Sequence, residues 1–287
     1  MEQQPLRDKR GLTEEEYLAQ YKPSAYERPS VTVDILLFTI QDGQLKLLLV
    51  RRKNHPYLGC WALPGGFVDI HESLDAAVCR ELAEETNLAS DVYFEQLYTF
   101  GDVDRDPRMR VITCAYLGLT PASNIRQTQA GDDAQDAAWF TVEKTMAYQA
   151  DGVNCWLLTL RCPEKGLHIQ YAVKDHAEEL RKVTDIALCP SSQEKLAFDH
   201  ARSIDMALQR LRNKVSYAPI AFRLVPRQFT LGQLQKVYEV LLGEKLDRAN
   251  FRKTVRRMVR QVEQPAAPKG RRQVMLFRYD PLAQAGN

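Results

Sequence analysis

Gly66-Phe67-Val68-Asp69-Ile70-His71-Glu72-Ser73-Leu74-Asp75-Ala76-Ala77-Val78-Cys79-Arg80-Glu81-Leu82-Ala83-Glu84-Glu85-Thr86-Asn87-Leu88 is the stretch on which the reading of this chain turns. Gly66, Glu72, Arg80, Glu81, Leu82, Glu84 and Glu85 stand at the spacing G-x5-E-x7-R-E-U-x-E-E, where U is aliphatic. The spacing predicts a helix over about residues 73–86, with Leu74, Val78 and Leu82 as its core-facing stripe. Glu81, Glu84 and Glu85 then fall at i, i+3 and i+4, so three carboxylates share the other face. Like charges crowded in this way cost stability unless a cation offsets them. Magnesium, a hard ion that takes oxygen ligands and keeps waters for a phosphate, suits such a face; manganese is the alternative. Glu72 adds a fourth carboxylate at the first turn, and Arg80 can hold a neighbouring glutamate by a bidentate pair. Gly65 and Gly66 let the backbone turn sharply ahead of the helix.

A bare E-x-x-E-E is better read as a solvated acidic face. Six specified residue types at fixed spacing arise by chance in about one window in ten million at ordinary usage, which removes that reading here. The pattern resembles the signature of the Nudix superfamily. That resemblance implies an N-terminal α/β/α sandwich with a mixed sheet, and substitution by water at a phosphorus of a nucleoside diphosphate linked to another group. It implies Glu81, Glu84 and Glu85 as metal ligands, joined by Glu72, with Arg80 in the same catalytic set. The base is one of these or a loop carboxylate, since that role moves within the superfamily. Asn87 stands where the family usually has glycine; asparagine is the next best residue at a left-handed helix end.

Working outward, residues 31–40 and 45–51 read as a hairpin across Gln41-Asp42-Gly43. Further strands are expected over 92–100, 110–119 and about 137–140, in an α+β arrangement. The loop between the first two of these holds Asp104, Arg105 and Arg108, placed either to contact phosphate or ribose or to be solvated. With Gly65 and Gly66, Arg105 and Arg108 form the candidate substrate-binding set, whereas Trp61 reads as core. Residues 1–29 are a polar lead-in with one short helix begun by Thr13. Residues 156–161 and 167–174 read as a hairpin within an insertion near 152–184 whose role is unaccounted for. A long helix is expected over 193–211, ending a Nudix domain that spans 30–214.

Residues 215–229, with Pro219 and Pro226, read as a linker to a second domain, 230–287. Its helices are expected over 231–242 and 248–262, and a short strand over 273–279. In the second helix Phe251, Val255, Met258 and Val262 form an apolar stripe, while Arg252, Lys253, Arg256, Arg257 and Arg260 take the other faces. With the cluster Lys269, Arg271 and Arg272 these cations lay out a winged helix-turn-helix whose affinity for double-stranded DNA comes from phosphate contacts. A charged helix on a dimerising domain is the competing interpretation. The runs Leu196-Ala197-Phe198-Asp199-His200-Ala201, Pro219-Ile220-Ala221-Phe222-Arg223-Leu224 and Asn250-Phe251-Arg252 are similar to bacterial Nudix-related transcriptional regulators. This implies a homodimer that senses ADP-ribose or a related nucleotide and controls NAD or sugar metabolism. Many such regulators carry a degraded motif; the intact carboxylates here leave open hydrolysis, sensing, or both.

Composition sets the outer bounds. A chain of 287 residues suits two domains, and its net charge of +2 says nothing of partners by itself. Six cysteines without paired spacing and the absence of an apolar run of membrane length lead us to expect a cytoplasmic protein with no membrane contact.

Overall fold

The computed structural model describes residues 5–86, 92–127, 134–178, 181–263 and 274–281. The lead-in holds α1 (Glu14–Gln20), opened by a Thr13–Glu16 capping box as expected, with no residue buried.

The sheet grows from β1 (Ser30–Gln41), whose sequence SVTVDILLFTIQ is rich in branched residues and buried over most of its length. A strand that reads as a continuous apolar run must be covered on both faces. It is: Val33, Ile35 and Leu37 pack with Ala77, Val78 and Leu82 of α2 (Leu74–Thr86) on one side. Leu36 and Phe38 pack with Ile204, Ala207 and Leu211 of α3 (His200–Lys214) on the other. These layers are the expected α/β/α sandwich. The remaining strands are β2 (Gln44–Arg52), β3 (Trp61–Ala62), β4 (Gly65–Phe67), β5 (Tyr93–Phe100), β6 (Val111–Leu119), β7 (Ala134–Ala150), β8 (Val153–Cys162), β9 (Leu167–Glu178) and β10 (Arg181–Leu188). Their order is β10-β9-β8-β7-β2-β1-β6-β5, with β3 on β2 and β4 on β1. Strands β1 and β6 run parallel while the other pairs are antiparallel, so the sheet is mixed.

The inserted segment has a structural place. The expected strand at 137–140 lies in the N-terminal half of the much longer β7, and the expected hairpin is β8–β9, closed by left-handed Gly166. With β10 they extend the central sheet rather than forming a separate unit.

Three expected boundaries change. The helix read from 193 begins only at His200, because residues before it bond across to β3: Leu196 bridges Trp61, and Ala197 N–H donates to Trp61 O at 2.8 Å. Residues 215–229 do not behave as a linker. A 3-10 turn at Pro219–Arg223 buries Ile220, Ala221 and Phe222, and Leu224, Val225 and Phe229 continue the same core. That core runs on into α4 (Leu231–Leu242) and α5 (Arg248–Val255). Finally, the helix expected to reach 262 ends at Val255. Arg256–Met258 form a 3-10 turn and Val259–Gln261 become β11, paired antiparallel with β12 (Phe277–Tyr279). Strand pairing takes the backbone groups that a longer helix would have used. Among the described residues no helix is long and apolar enough to cross a membrane.

Candidate nucleotide site and nucleic-acid interface

Two glycines set the geometry of the motif. Gly65 has φ +150°, and a Cβ there would lie 2.1 Å from Val33 O, inside the β1–β4 pairing. A Cβ on Gly66 would lie 2.2 Å from Glu81 Oε1. The loop therefore runs close above α2, and its grip is direct: Gly65 N–H donates to Glu85 Oε2 at 3.0 Å. Ser73 opens the helix, its Oγ accepting from Ala76 N–H at 3.2 Å.

Arg80 gathers the carboxylates. It donates to Glu72 Oε2 (3.1 Å) and Oε1 (2.6 Å), to Glu81 Oε1 (2.7 Å), to Glu84 Oε2 (3.2 Å) and to Phe67 O (3.0 Å). These five bonds use the guanidinium's full set of donors. The same contacts, Glu72 first, push Arg80 above the ordinary guanidinium range and hold Glu72 below the ordinary carboxylate range. Glu81 is the buried member of the set, and burial raises its carboxyl despite Arg80 beside it. Glu84 faces solvent. Among the described residues no three His, Cys, Asp or Glu side chains converge as metal ligands. Arg80 is the cation that Glu72, Glu81 and Glu84 engage. Oxygen-only donors on one helix face, below a glycine with no side chain, nonetheless suit a hard divalent ion.

Beside the motif opens a cleft of about 150 Å³ lined by Asp34, Arg52, Gly65, Gly66, Phe67, Arg105, Arg108, Phe198 and His200, among others. Arg105, expected either to meet substrate or to be solvated, is only 4% exposed and held by protein. It forks onto Asp199 at 2.7 and 3.1 Å and reaches Asp34 at 3.4 Å. Burial opposes its charge, but Asp199 and Asp34 outweigh burial and raise it. Arg108 lines the cleft while forking onto buried Asp106 at 2.7 and 3.0 Å. Asp34 also accepts from Thr113 Oγ1 at 2.8 Å, and the buried His200 Nδ1 accepts from Leu63 N–H at 3.0 Å. Asp34, Arg52, Phe198 and His200 were not singled out as site residues from sequence. For Phe198 and His200 the only signal was their place in the run that carried the regulator resemblance. Trp61 is core, as expected, edge-on to Phe140.

A larger cavity, about 1050 Å³, lies between β7, β8, α3 and α4 and holds none of the motif residues. Volume favours it, but Gly65 and Gly66 line the smaller cleft.

In the C-terminal unit a Thr230–Gln233 capping box opens α4, left-handed Gly243 closes it, and Asp247 caps α5. Phe251 and Val255 are buried, while Arg252 and Lys253 on α5 and Arg256 and Arg257 on the following turn are exposed. Arg260 lies on β11, exposed, and pairs with Asp280 at 3.4 Å. The five cations thus divide between helix, turn and wing rather than lining a single helix. Lys269, Arg271 and Arg272 lie outside the described residues.

Comparison with known proteins matches both halves. A family profile described as NUDIX domain covers residues 28–154, and one described as NrtR DNA-binding winged helix domain covers residues 221–279. The ADPR responsive transcriptional repressor NtrR of Acinetobacter baylyi is 31% identical over 273 residues, covering 93% of this chain and 88% of that protein. A MutT/nudix family protein from Enterococcus faecalis superposes with a TM-score of 0.70 at 30% identity, over 92% of this chain and 91% of that one. NrtR of Shewanella oneidensis, in a crystal structure with a 27mer DNA, superposes with a TM-score of 0.61 at 31% identity, over 89% and 95%.

Proposed function

This chain belongs to the NrtR family, in which a Nudix domain is joined to an NrtR winged helix, and from that premise we propose that it is an ADP-ribose-responsive transcriptional repressor. The cleft beside the motif takes the nucleotide, and the winged helix takes double-stranded DNA. One observation carries the ligand assignment: Gly65 and Gly66, whose backbone lies directly against Glu85 and Glu81 of the motif, line the same cleft as Arg52 and Arg108, cations suited to a diphosphate. The exposed Arg252, Lys253, Arg256, Arg257 and Arg260 supply phosphate contacts. Two copies, related by a two-fold axis, match two operator half-sites, so the working unit is a homodimer in the cytoplasm.

Glu81, Glu84 and Glu85 would hold a magnesium or manganese ion, with Glu72 at the edge of the set. When bound, the ion supplies Lewis-acid neutralisation of the diphosphate. The chain's own residues prepare the place. Gly66 leaves room above Glu81, Gly65 N–H fixes Glu85, and Arg80 aligns Glu81 and Glu84 from the Glu72 side. The complete carboxylate set favours turnover of ADP-ribose to AMP and ribose 5-phosphate in addition to sensing. It equally supports a second interpretation, a plain pyrophosphatase whose C-terminal unit serves dimerisation.

Operator binding separates these. Glu85→Gln keeps an acceptor for Gly65 N–H but removes a negative ligand, so ADP-ribose is not consumed during the measurement. The affinity of this protein for its own upstream DNA is compared with and without saturating ADP-ribose. Release of DNA by ligand is expected, and linkage requires DNA to weaken the ligand by the same factor. Absence of DNA binding at low salt leaves the pyrophosphatase; binding that ADP-ribose does not change removes ADP-ribose as effector.

A further inference from the structure

Phe198 is the least expected residue in the cleft. It has φ +49°, a left-handed conformation costly for a bulky side chain. Its ring packs at 4.7 Å on Tyr57, which is itself left-handed at φ +60°. The backbone around it is clamped to β3 through the Leu196–Trp61 bridge and the Ala197–Trp61 hydrogen bond. Two aromatic residues are thus held in left-handed conformations, Phe198 at the wall of the cleft and Tyr57 behind it. Strain of this kind persists only where surrounding structure enforces it.

Two cations lie over the ring of Phe198. Arg52 lies over it at 5.1 Å and Arg108 at 5.9 Å, and the same Arg108 lies over Phe67 at 5.1 Å. Phe67 is 39% exposed at the end of β4, one residue beyond Gly66. Two phenyl rings therefore share one planar guanidinium. Planar cations and nucleobases use the same aromatic faces. Burial and the nearby charge of Arg108 also hold Arg52 below the ordinary guanidinium range, a strain that an anion between the two would relieve.

The geometry points to a base-stacking subsite: Phe198 and Phe67 receive the adenine of the nucleotide, and Arg108 turns from their rings to the adjoining diphosphate beside Arg52. This rests on the proposed ADP-ribose assignment and adds how the base is recognised. It also places the recognition of the base two residues before α3, the helix whose other end packs toward α4.

Calorimetric titration of full-length protein with ADP-ribose, in metal-free buffer to prevent turnover, tests the subsite. Phe198→Leu keeps an apolar side chain and removes the aromatic face; Phe67→Leu does the same on the more exposed side. Each is expected to weaken ADP-ribose by about 5- to 150-fold, the range of one aromatic–base stack, with an unchanged unfolding midpoint. Phe198→Tyr is expected to bind like wild type, and to retain the loss of adenine ultraviolet absorption that stacking produces. Wild-type affinity in both leucine variants, or equal losses in Phe198→Leu and Phe198→Tyr, overturns the subsite while leaving the ADP-ribose assignment standing. Wild type that does not bind ADP-ribose overturns both.

Discussion

Arg105 and Asp199, ninety-four positions apart, form a two-bond fork at 2.7 and 3.1 Å that ties the β5–β6 loop to the residue just before α3. Arg105 is almost fully buried, and Asp34 on β1 is its second partner. Breaking one side of a buried pair leaves a charge without compensation. Asp199→Asn is therefore expected to cost about 3 kcal/mol in denaturant unfolding, at the low end because Asp34 remains. The double substitution Arg105→Leu, Asp199→Leu should recover most of that loss. A double variant no more stable than the single one would show that the fork's geometry, rather than its charge, holds the loop.

The two motif glycines should fail in different ways. Gly65→Ala drives a Cβ into the backbone of β1 at Val33 O, so about 3 kcal/mol of stability should go. Gly66→Ala meets the side chain of Glu81 instead. It should leave the unfolding midpoint near wild type and abolish the proposed magnesium-dependent turnover of ADP-ribose. Turnover in Gly66→Ala at the wild-type rate would place the metal away from Glu81.

His200 should set an acid limit to stability. Burial, the largest influence, holds its imidazolium form below the ordinary 6.5; Asp34 and Asp199 pull the other way, and Arg105 and Arg52 reinforce burial. In the window below pH 6.5 the unfolded chain binds a proton that the native state refuses. The contribution is thus fully present above 6.5 and lost as pH falls through the native value, at up to about 1.4 kcal/mol per pH unit. His200→Asn keeps an acceptor for Leu63 N–H and cannot titrate. Unfolding free energies measured from pH 7 to pH 5 should fall more gently for this variant than for wild type, and parallel profiles would assign the acid limb elsewhere.

Cations of the C-terminal unit should contribute additively to the salt dependence of DNA binding. Replacing Arg256 and Arg257 by alanine should weaken operator binding and lower the slope of log K against log salt by about 0.9 for each phosphate no longer neutralised. Arg252→Ala with Lys253→Ala, on α5 itself, should do the same. Anisotropy titrations at several salt concentrations measure the slope. An unchanged slope in either pair would take those residues off the DNA.

The carboxylate face of α2 and its opposed stripe were legible because i, i+3 and i+4 are local geometry: once residues near 73–86 are helical, Glu81, Glu84 and Glu85 have no other arrangement. The same holds for the capping boxes at Thr13 and Thr230, where the partner is three residues away. The end of the basic helix was legible only in part. Its apolar stripe continues past Val255, but pairing with β12 turns Val259 into strand, and that partner is distant in sequence. Residues 215–229 carry two prolines and look like a connector, yet Ile220, Phe222 and Phe229 find a hydrophobic core already built by the sheet and α3. Gly65, Gly66, Arg105 and Arg108, named from the sequence, line the cleft, but its other walls were decided by tertiary structure. Asp34 lies mid-strand, Arg52 ends a strand and Phe198 precedes a helix; their meeting depends on the register of β1 against β4 and on the clamp of residues 196–197 to Trp61. No periodicity records such a meeting, because the energy that enforces it comes from backbone pairing between segments about thirty residues apart at β1–β4 and more than a hundred apart at the Trp61 clamp.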